Sequence, residues 1–323
     1  MPSDHEDPLG VLSSAYFVAA HSASVSLDED AIPGFAASLM RDGALAMPPD
    51  STAHFLDDRA RAIAYFFVID AINFCFWGDP TWGGVYDGQR LSGYRALAAA
   101  LTREARANPG FFDAATLAAL DAESLGRALG GDRPIPLLEE RAANLRELGR
   151  WALEAYGGDF AAVLEATQFD AIALAQHVID NLPSFRDEAV YRGRVVRFYK
   201  RAQILAADLH GSLQARGWGG LRRVGALTVF ADYKLPQLLR HVGVLRYVES
   251  LAEKVDRKVA LAAGSAEEVE IRANTVWAAE RVRRRLAQIG IDAPSHQIDL
   301  LLWLKSKAID DMKPHHRTRT IFY

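Results

Sequence analysis

Apolar residues recur every three to four positions through most of the chain, which is the spacing of one buried face of an α-helix. Alternating strand-like segments are few, and only the glycine-rich loop at residues 78–88 is predicted to include a short hairpin. The pattern therefore predicts a mostly α-helical fold. The predicted helices cover residues 8–20, 28–40, 57–77, 93–107, 113–120, 122–129, 136–156, 160–166, 170–181, 191–211, 235–255, 266–289 and 295–311.

The segments between these helices are short. Residues 47–50, which include two consecutive prolines, interrupt the chain after the second predicted helix, and residues 217–223 are predicted to form a loop. No period of 20–50 residues repeats, and no low-complexity linker divides the chain. We therefore expect one compact helical domain over residues 1–323, with at most a weak subdivision near residue 130, at the glycine- and proline-containing segment 130–134.

The most informative stretch is residues 227–241, where an apolar lead runs into Asp232, Tyr233 and Lys234 before an amphipathic helix begins. Pro236 suits the first turn of that helix, because the N–H that proline lacks would have no intrahelical partner there. Asp232 thus lies just before a helix N-terminus. It is either an ordinary capping aspartate or a fixed carboxylate that lines a pocket and faces positive charge developing in a substrate.

Charge and cysteine content narrow the function classes. With 37 Lys and Arg against 41 Asp and Glu, the net charge is −4, so the protein lacks the cationic field that a long nucleic acid requires. The single cysteine, Cys75, excludes an internal disulfide and favours a reducing compartment. Residues 1–10 do not resemble a signal peptide, and no apolar run approaches the ~20 residues of a membrane span. We expect a cytoplasmic protein with no membrane partner.

The first long predicted helix has an unusual face. Phe66, Asp70, Asn73 and Trp77 are spaced i, i+4, i+7 and i+11, and Phe74 adjoins them. Buried polar groups demand partners, so a stripe of rings with a carboxylate and an amide suits a planar heterocycle that stacks on the rings and is hydrogen-bonded along its edge. The alternative is a structural helix whose polar side chains bond to neighbouring backbone.

Two late helices repeat this mixture of tryptophan and acid inside apolar sequence. Residues on these faces are Glu270, Asn274, Trp277 and Arg281, with Glu280 adjacent, and then Asp299 and Trp303. Tryptophan is common in protein cores, so one such face means little. Three of them, counting the face with Trp77, favour a ring-lined binding site.

Cations concentrate in two places. Lys200 and Gln203 share a helix face, with Arg201 about 100° round from it, and the tail 313–323 has five basic-type residues before its last two aromatic ones. These cations either are solvated or hold an anionic group such as a phosphate. The terminal aromatic residues indicate that the tail docks onto the body of the protein.

Several chemistries are excluded by missing motifs. The sequence has no phosphate-binding Walker loop, no G-x-G-x-x-G and no G-x-S-x-G nucleophile elbow. His315 and His316 are adjacent rather than i, i+4, so they form no metal-binding helix face, and one cysteine cannot build a cysteine-rich zinc site. Acid–base or carboxylate electrostatic chemistry remains.

Several segments, taken together, resemble the queuosine-salvage proteins, a family of queuosine 5′-phosphate N-glycosylase/hydrolases. The matching pieces are Ile-Asp-x-x-Asn-Phe-x-Phe-Trp at 69–77, Phe-Arg-Asp at 185–187 followed by Tyr191, Phe-Tyr-Lys-Arg-Ala-Gln at 198–203, Phe-Ala-Asp-Tyr at 230–233 with Leu-Pro-Gln at 235–237, Glu-Ile-Arg-Ala at 270–273, Ile-Asp-x-x-Leu-Trp at 298–303 and Pro-His-His-Arg at 314–317. The resemblance covers roughly residues 60–323. It implies a helical fold akin to helix-hairpin-helix DNA glycosylases, and release of the base queuine from queuosine 5′-monophosphate without a metal or organic cofactor.

That reaction builds positive charge on the ribose, and a fixed carboxylate can stabilise it. Asp232 is the expected catalytic group, either stabilising the cation or positioning the attacking water, and Lys200 is expected to orient Asp232 or the ribose. The rings of Phe74, Trp77 and Tyr233 are expected to stack on the base, and Asp70, Asn73 or Glu280 to hydrogen-bond along its edge. The cationic amine of queuine is expected to pair with Asp299. Trp277 and Trp303 are the remaining candidate substrate-binding residues. The candidate phosphate ligands are Arg201, Lys305, His315, His316 and Arg319.

Two rival functions remain. One is a non-catalytic binder of a modified nucleobase or nucleotide that uses the same pocket. The other, a DNA glycosylase that flips a base out of a duplex, is disfavoured by the acidic net charge. The expected partner is therefore a small-molecule substrate rather than a nucleic acid.

Overall fold

Helices make up 57% of this computed structural model, which describes residues 7–41 and 54–323. The mostly α-helical prediction is confirmed. The described helices are α1 Val11–Ala19, α2 Ala31–Arg41, α3 Arg59–Ala71, α4 Tyr94–Ala107, α5 Ala114–Ala119, α6 Ala122–Leu129, α7 Leu138–Tyr156, α8 Phe160–Ala166, α9 Ala171–Asn181, α10 Lys200–Ala215, α11 Lys234–His241, α12 Glu249–Asp256, α13 Ala266–Gln288 and α14 Ser295–Lys307. The likeness to helix-hairpin-helix glycosylases stays a prediction, and the predicted break at residues 47–50 lies outside the described residues.

The strands form three small antiparallel pairs. They are β1 Val25–Leu27 with β6 Leu245–Tyr247, β2 Gly83–Tyr86 with β3 Gln89–Ser92, and β4 Glu188–Tyr191 with β5 Arg194–Arg197. The pair β2–β3 confirms the predicted hairpin, but only β2 and the turn lie within residues 78–88, because β3 begins at Gln89. The segment suggested as a weak boundary is tied to this hairpin, because Asp132 N–H donates to Gly83 O at 2.9 Å and the Trp82 indole donates to Arg133 O at 3.1 Å.

The prediction of one helix over residues 191–211 is wrong in its first part, which forms β4, β5 and their turn. Arg192 and Gly193 have φ values of 48° and 77°, the left-handed pair that a two-residue hairpin turn requires. Tyr191 and Val196 are buried, whereas Val190 and Val195 are exposed, so this segment follows the alternation of a strand.

The prediction of one helix over residues 235–255 is also wrong, because this segment forms α11, β6 and α12. Gly243 has a φ of 80°, which ends helical geometry just after α11. The residues that follow pair with β1, so Leu245 lies opposite Leu27 and Tyr247 opposite Val25. This pairing attaches the N-terminal part of the described chain to the region around α11.

The longest helix, α13, has 23 residues and packs against α1, α2, α11 and α14. The carboxylate of Glu270 on α13 accepts the N–H groups of Ala23, Ser24 and Val25 and the hydroxyl of Tyr191, at 2.6–3.2 Å. One buried acid therefore fixes both the entry to β1 and the end of β4. Among the described helices, none combines the length and apolar character needed to cross a membrane.

We predict that Gly149→Ala destabilises the protein, because α7 crosses α5 at this glycine. A Cβ atom there would lie 2.4 Å from Ala118 N and 2.6 Å from Ala114 O. The overpacking should lower the free energy of unfolding by about 1–3 kcal/mol, measured by urea denaturation. Gly34→Ala in α2 is the control, because its Cβ would have no neighbour within 4 Å, and it should be neutral or stabilising. Equal effects of the two variants would contradict the prediction.

Candidate active site

The first wall of the candidate site follows the end of α3. This helix ends at Ala71, so Asn73 and Trp77 do not continue the helical face of Phe66 and Asp70, and that part of the sequence prediction is wrong. Asp70 is buried in the last turn of α3. The side-chain amide of Asn73 donates through Nδ2 to Asp70 Oδ1 at 3.4 Å. Oδ2 of Asp70 is buried without a partner among the described residues.

The reason for this early end is a set of buried cations that take the carbonyl groups of the last turn. Arg201 donates to Asp70 O at 3.1 Å and to Ala71 O at 2.5 Å, and Lys200 Nζ donates to Asn73 O at 3.1 Å. Arg141 donates to the carbonyls that come next, including Cys75 O at 3.1 Å. Cations stabilise helix C-termini because unpaired carbonyls concentrate there.

Two residues predicted to contact the substrate, Arg201 and Phe74, instead contact buried parts of the protein. Arg201 is 1% exposed, and its Nη atoms donate to the carbonyls of residues 70, 71 and 184, so a phosphate cannot reach them. Phe74 is also 1% exposed, and the guanidinium carbons of Arg141 and Arg201 lie 4.2 Å and 5.2 Å from its ring centre. Both residues hold the chain after α3, and neither offers a surface to a ligand.

Asp232 lies two residues before the start of α11, and its carboxylate caps the first N–H groups of that helix. Its Oδ1 accepts the N–H groups of Lys234 at 2.7 Å and Leu235 at 3.0 Å. Both hydrogen bonds that this carboxylate accepts from described residues reach Oδ1, which leaves Oδ2 for another partner. The side chain is half-buried. The two readings of Asp232 are therefore compatible, because capping holds the carboxylate rigid while one oxygen stays available.

Lys200 begins α10 and is buried. Burial lowers the pKa of its ammonium group, and the nearby carboxylates of Asp232 and Asp70 oppose that shift. The residue before it, Tyr199, has a left-handed φ of 50°, so the chain turns sharply into the helix at this point. Lys200 thus places a positive charge between the end of α3 and the start of α11.

Further carboxyl groups surround Lys200. Asp299 of α14 accepts the Phe230 N–H at 2.7 Å, and burial raises its pKa well above the ordinary value. Burial and the charge of Asp208 raise the pKa of Asp70 in the same direction. Burial therefore shifts these carboxyl groups toward the protonated form, which can donate a hydrogen bond.

Asp208 is a member of this cluster that the sequence analysis missed. It lies on α10, and the Tyr94 hydroxyl contacts its Oδ2 at 3.4 Å. Burial raises the pKa of Asp208 to about 7, against the opposing hydrogen bond of Tyr94 and the charge of Lys200. The available signal was an acid about two helical turns after Lys200 in a mostly apolar helix.

Three half-buried rings lie around these groups. Trp303 packs edge-on against Tyr94, with ring centres 6.3 Å apart, and Tyr233 packs on His315 with centres 4.5 Å apart. Trp77 lies beneath the guanidinium of Arg317 at 5.5 Å, and its indole Nε1 is buried without a partner among the described residues. Trp77, Tyr233 and Trp303 thus keep some exposed ring surface.

The tail docks as expected, but its histidines are not cations. Burial lowers the pKa of His315 to about 4 and that of His316 to about 3, so both are neutral at pH 7. His316 Nε2 lies 3.2 Å from the buried hydroxyl of Tyr323. Neither histidine carries a charge without an anion beside it, and their contact with a phosphate stays a prediction. Lys305 is half-buried and Arg319 is exposed.

Trp277 and Glu280 lie on a different side of α13. Trp277 packs edge-on against Tyr16 of α1, with ring centres 5.0 Å apart, and Glu280 accepts hydrogen bonds from Arg283 and Arg284 at 2.6–2.9 Å. The structure does not bring either residue into contact with the cluster around Lys200.

We predict that Asp208→Asn becomes relatively more stable as pH rises from 4.5 to 7.5. The ordinary pKa of 3.8 applies to the unfolded chain, and about 7 to the folded protein. Between these values only the folded state holds the proton, so the wild type loses stability with rising pH. Asparagine does not titrate. Melting temperatures across this range measure the effect.

The matched control for that series is Asp121→Asn, at the start of α6. The Ser124 N–H lowers the pKa of Asp121, so this carboxyl is ionised in both states above pH 5. The difference between Asp121→Asn and wild type should therefore stay flat above pH 5. A flat difference for Asp208→Asn as well would contradict the proposed environment of Asp208.

Comparison with known proteins identifies the family of this chain. Residues 53–323 match the family described as "Queuosine salvage protein". A protein of Sphaerobacter thermophilus named queuosine 5′-phosphate N-glycosylase/hydrolase is 42% identical over 99% of this chain and 100% of its own length. Proteins of the same name from Mus musculus, 35% identical over 98% of this chain and 99% of theirs, and Dictyostelium discoideum, 37% identical over 80% and 77%, also match. The chain belongs to the queuosine salvage protein family.

Proposed function

We propose that this protein hydrolyses the N-glycosidic bond of queuosine 5′-monophosphate and releases queuine, which can then be reused in transfer RNA. The observation that carries the proposal is the Asp232 carboxylate, fixed by two backbone N–H groups through Oδ1 and close to the charge of Lys200. The names of the related proteins support the same substrate and bond.

The chemistry follows from charge. When the bond between the ribose C1′ and the base nitrogen breaks, its electron pair leaves with the base and the sugar becomes cationic. Water then bonds to C1′, one of its protons is lost, and the base gains a proton. A preorganised carboxylate stabilises the cationic sugar, and Oδ2 of Asp232 is available either for that interaction or for the attacking water. Lys200 orients this carboxylate or the ribose.

The base would meet the rings and acids of the cluster. Trp77, Tyr233 and Trp303 keep exposed ring surface, on which the base would stack. Asp299 suits the cationic amine of queuine, because a nearby positive charge would favour its ionised form.

The phosphate needs positive charge beside Asp232, and Lys234 and Lys307 meet that requirement. Burial and the charge of Lys307 lower the pKa of Lys234 to about 8, so the two ammonium groups lie close enough to repel each other. A phosphate between them would relieve this repulsion. Lys234 Nζ already lies 2.5 Å from Gln237 Oε1, which holds it at the start of α11.

Incubation with queuosine 5′-monophosphate followed by chromatography tests the proposal directly. Release of free queuine with ribose 5-phosphate supports hydrolysis. Unchanged nucleotide that remains bound would instead support a non-catalytic binder.

We predict that Asp232→Asn binds the nucleotide but turns it over roughly 10²–10³-fold more slowly, since the substitution removes a charge that stabilises the transition state. Asparagine retains the oxygen that caps α11, so the fold should persist. Steady-state release of queuine and calorimetric binding measure the two effects. Asp121→Asn, which alters the capping aspartate of α6 far from the cluster, is the control and should keep wild-type turnover. Near-normal turnover of Asp232→Asn would remove Asp232 from the mechanism.

We predict that Lys234→Gln weakens binding of queuosine 5′-monophosphate about 10–100-fold and leaves binding of free queuine unchanged, since a charge-assisted bond to phosphate is worth about 1.5–3 kcal/mol. Calorimetric titration with each ligand measures the difference. The control is Lys254→Gln, which removes a surface lysine paired with Glu267. Equal losses for nucleotide and base would show that Lys234 does not contact the phosphate.

A further inference from the structure

A buried ion pair, between Arg272 and Asp187, contacts the backbone close to Lys200 and Asp232. Arg272 of α13 donates through Nη1 to Asp187 Oδ1 at 2.9 Å and through Nη2 to Asp187 Oδ2 at 2.6 Å. Both side chains are 2–3% exposed. The rings of Phe198 and Tyr323 lie 3.9 Å and 4.2 Å from the guanidinium carbon. This planar, two-bond geometry restrains orientation more strictly than a single contact would.

Each partner of the pair also holds backbone next to a proposed reacting group. Nη1 of Arg272 also lies 3.6 Å from Glu268 Oε1, and Nε contacts Ala231 O at 3.3 Å, where Ala231 directly precedes Asp232. Oδ2 of Asp187 accepts the backbone N–H of Lys200 at 3.3 Å. A single ion pair therefore connects the peptide units of Lys200 and of the residue before Asp232, which are distant in sequence.

The approach to α10 gives this connection a second anchor. Asp187 O accepts the N–H groups of Phe198 at 3.0 Å and Tyr199 at 3.3 Å. Tyr199 has the left-handed φ of 50° that turns the chain into Lys200. Large side chains rarely adopt this conformation, and they keep it where surrounding contacts determine it. Asp187 thus controls both the direction and the position in which Lys200 starts its helix.

We infer that Arg272 and Asp187 are positioning residues that set the geometry of the Lys200 ammonium relative to the Asp232 carboxylate. The inference rests on the function proposed above. Burying an ion pair gains little net stability, because desolvation offsets the Coulomb attraction. Orientation is the contribution that a bidentate pair makes and a hydrophobic pair of similar size does not. Small displacements of reacting groups can cost about 10²-fold in rate.

The test compares Arg272→Lys with Arg223→Lys, which changes an arginine whose side chain is 57% exposed. Arg223 also makes a two-bond pair, with Asp170, at 2.5 Å and 2.7 Å, but no contact links that pair to Lys200 or Asp232 in the described part of the chain. For each variant, calorimetric titration with queuine counts the binding-competent sites, and kcat is expressed per competent site. Arg272→Lys should lower kcat at least tenfold with KM changed less than threefold, whereas Arg223→Lys should match the wild type.

A purely structural role predicts a different result, namely fewer competent sites with a normal kcat for each, and that result would overturn the inference. If wild-type protein releases no queuine, the proposed function fails first and the inference falls with it. If wild-type and Arg272→Lys proteins release queuine at equal rates per site, only the inference fails.

A second variant covers the outcome that Arg272→Lys does not fold. Asp187→Asn keeps the shape of the side chain and an oxygen for the Lys200 N–H, but it cannot form the charged pair. It should lower kcat per competent site at least tenfold. Where both single variants fold, the double variant should be no slower than the slower single variant, because both break one interaction. Independent, multiplying losses would contradict a shared positioning role.

Discussion

The buried contact between Arg272 and Asp187 is the interaction on which the arrangement of the site depends. It joins α13 to the start of α10 and to Ala231, shortly before α11. One planar ion pair therefore positions these three parts of the chain. Arg141 and Arg201 act in a related way on the carbonyls that follow α3. Buried guanidinium groups need hydrogen-bond acceptors, and the backbone carbonyls that serve as acceptors are held in place by them.

The acids within this frame have a different role. Asp70, Asp208 and Asp299 have raised pKa values because they are buried, whereas Asp232 shares its Oδ1 with two N–H groups at the start of α11. The surroundings of each side chain thus give aspartates different properties. Three of them hold a proton more strongly than in water, and Asp232 is held in place as a hydrogen-bond acceptor. This division supports the proposed reaction, which needs one stabilising carboxylate and several groups able to recognise a base by hydrogen bonds.

The sequence predicted those features that depend on local pattern. The bounds of α6 and α8, and the position of Asp232 at the start of α11, follow from helical periodicity and capping residues close in sequence. The early end of α3 could not be predicted, since the cations that bind its carbonyls come from α7 and α10. The neutral state of His315 and His316 depends on burial. The sequence signal for Asp208 was only an acid in an apolar helix, because its contact with Tyr94 of α4 joins residues distant in sequence.

The cluster around Lys200 has one further consequence. Asp208, whose pKa burial raises to about 7, gives up its proton when a ligand brings positive charge close to it. Uptake of a cationic base would therefore release protons to the solvent, and its departure would take them back. The heat of binding would then vary with the ionisation enthalpy of the buffer, whereas an uncharged base of the same shape would bind without that exchange.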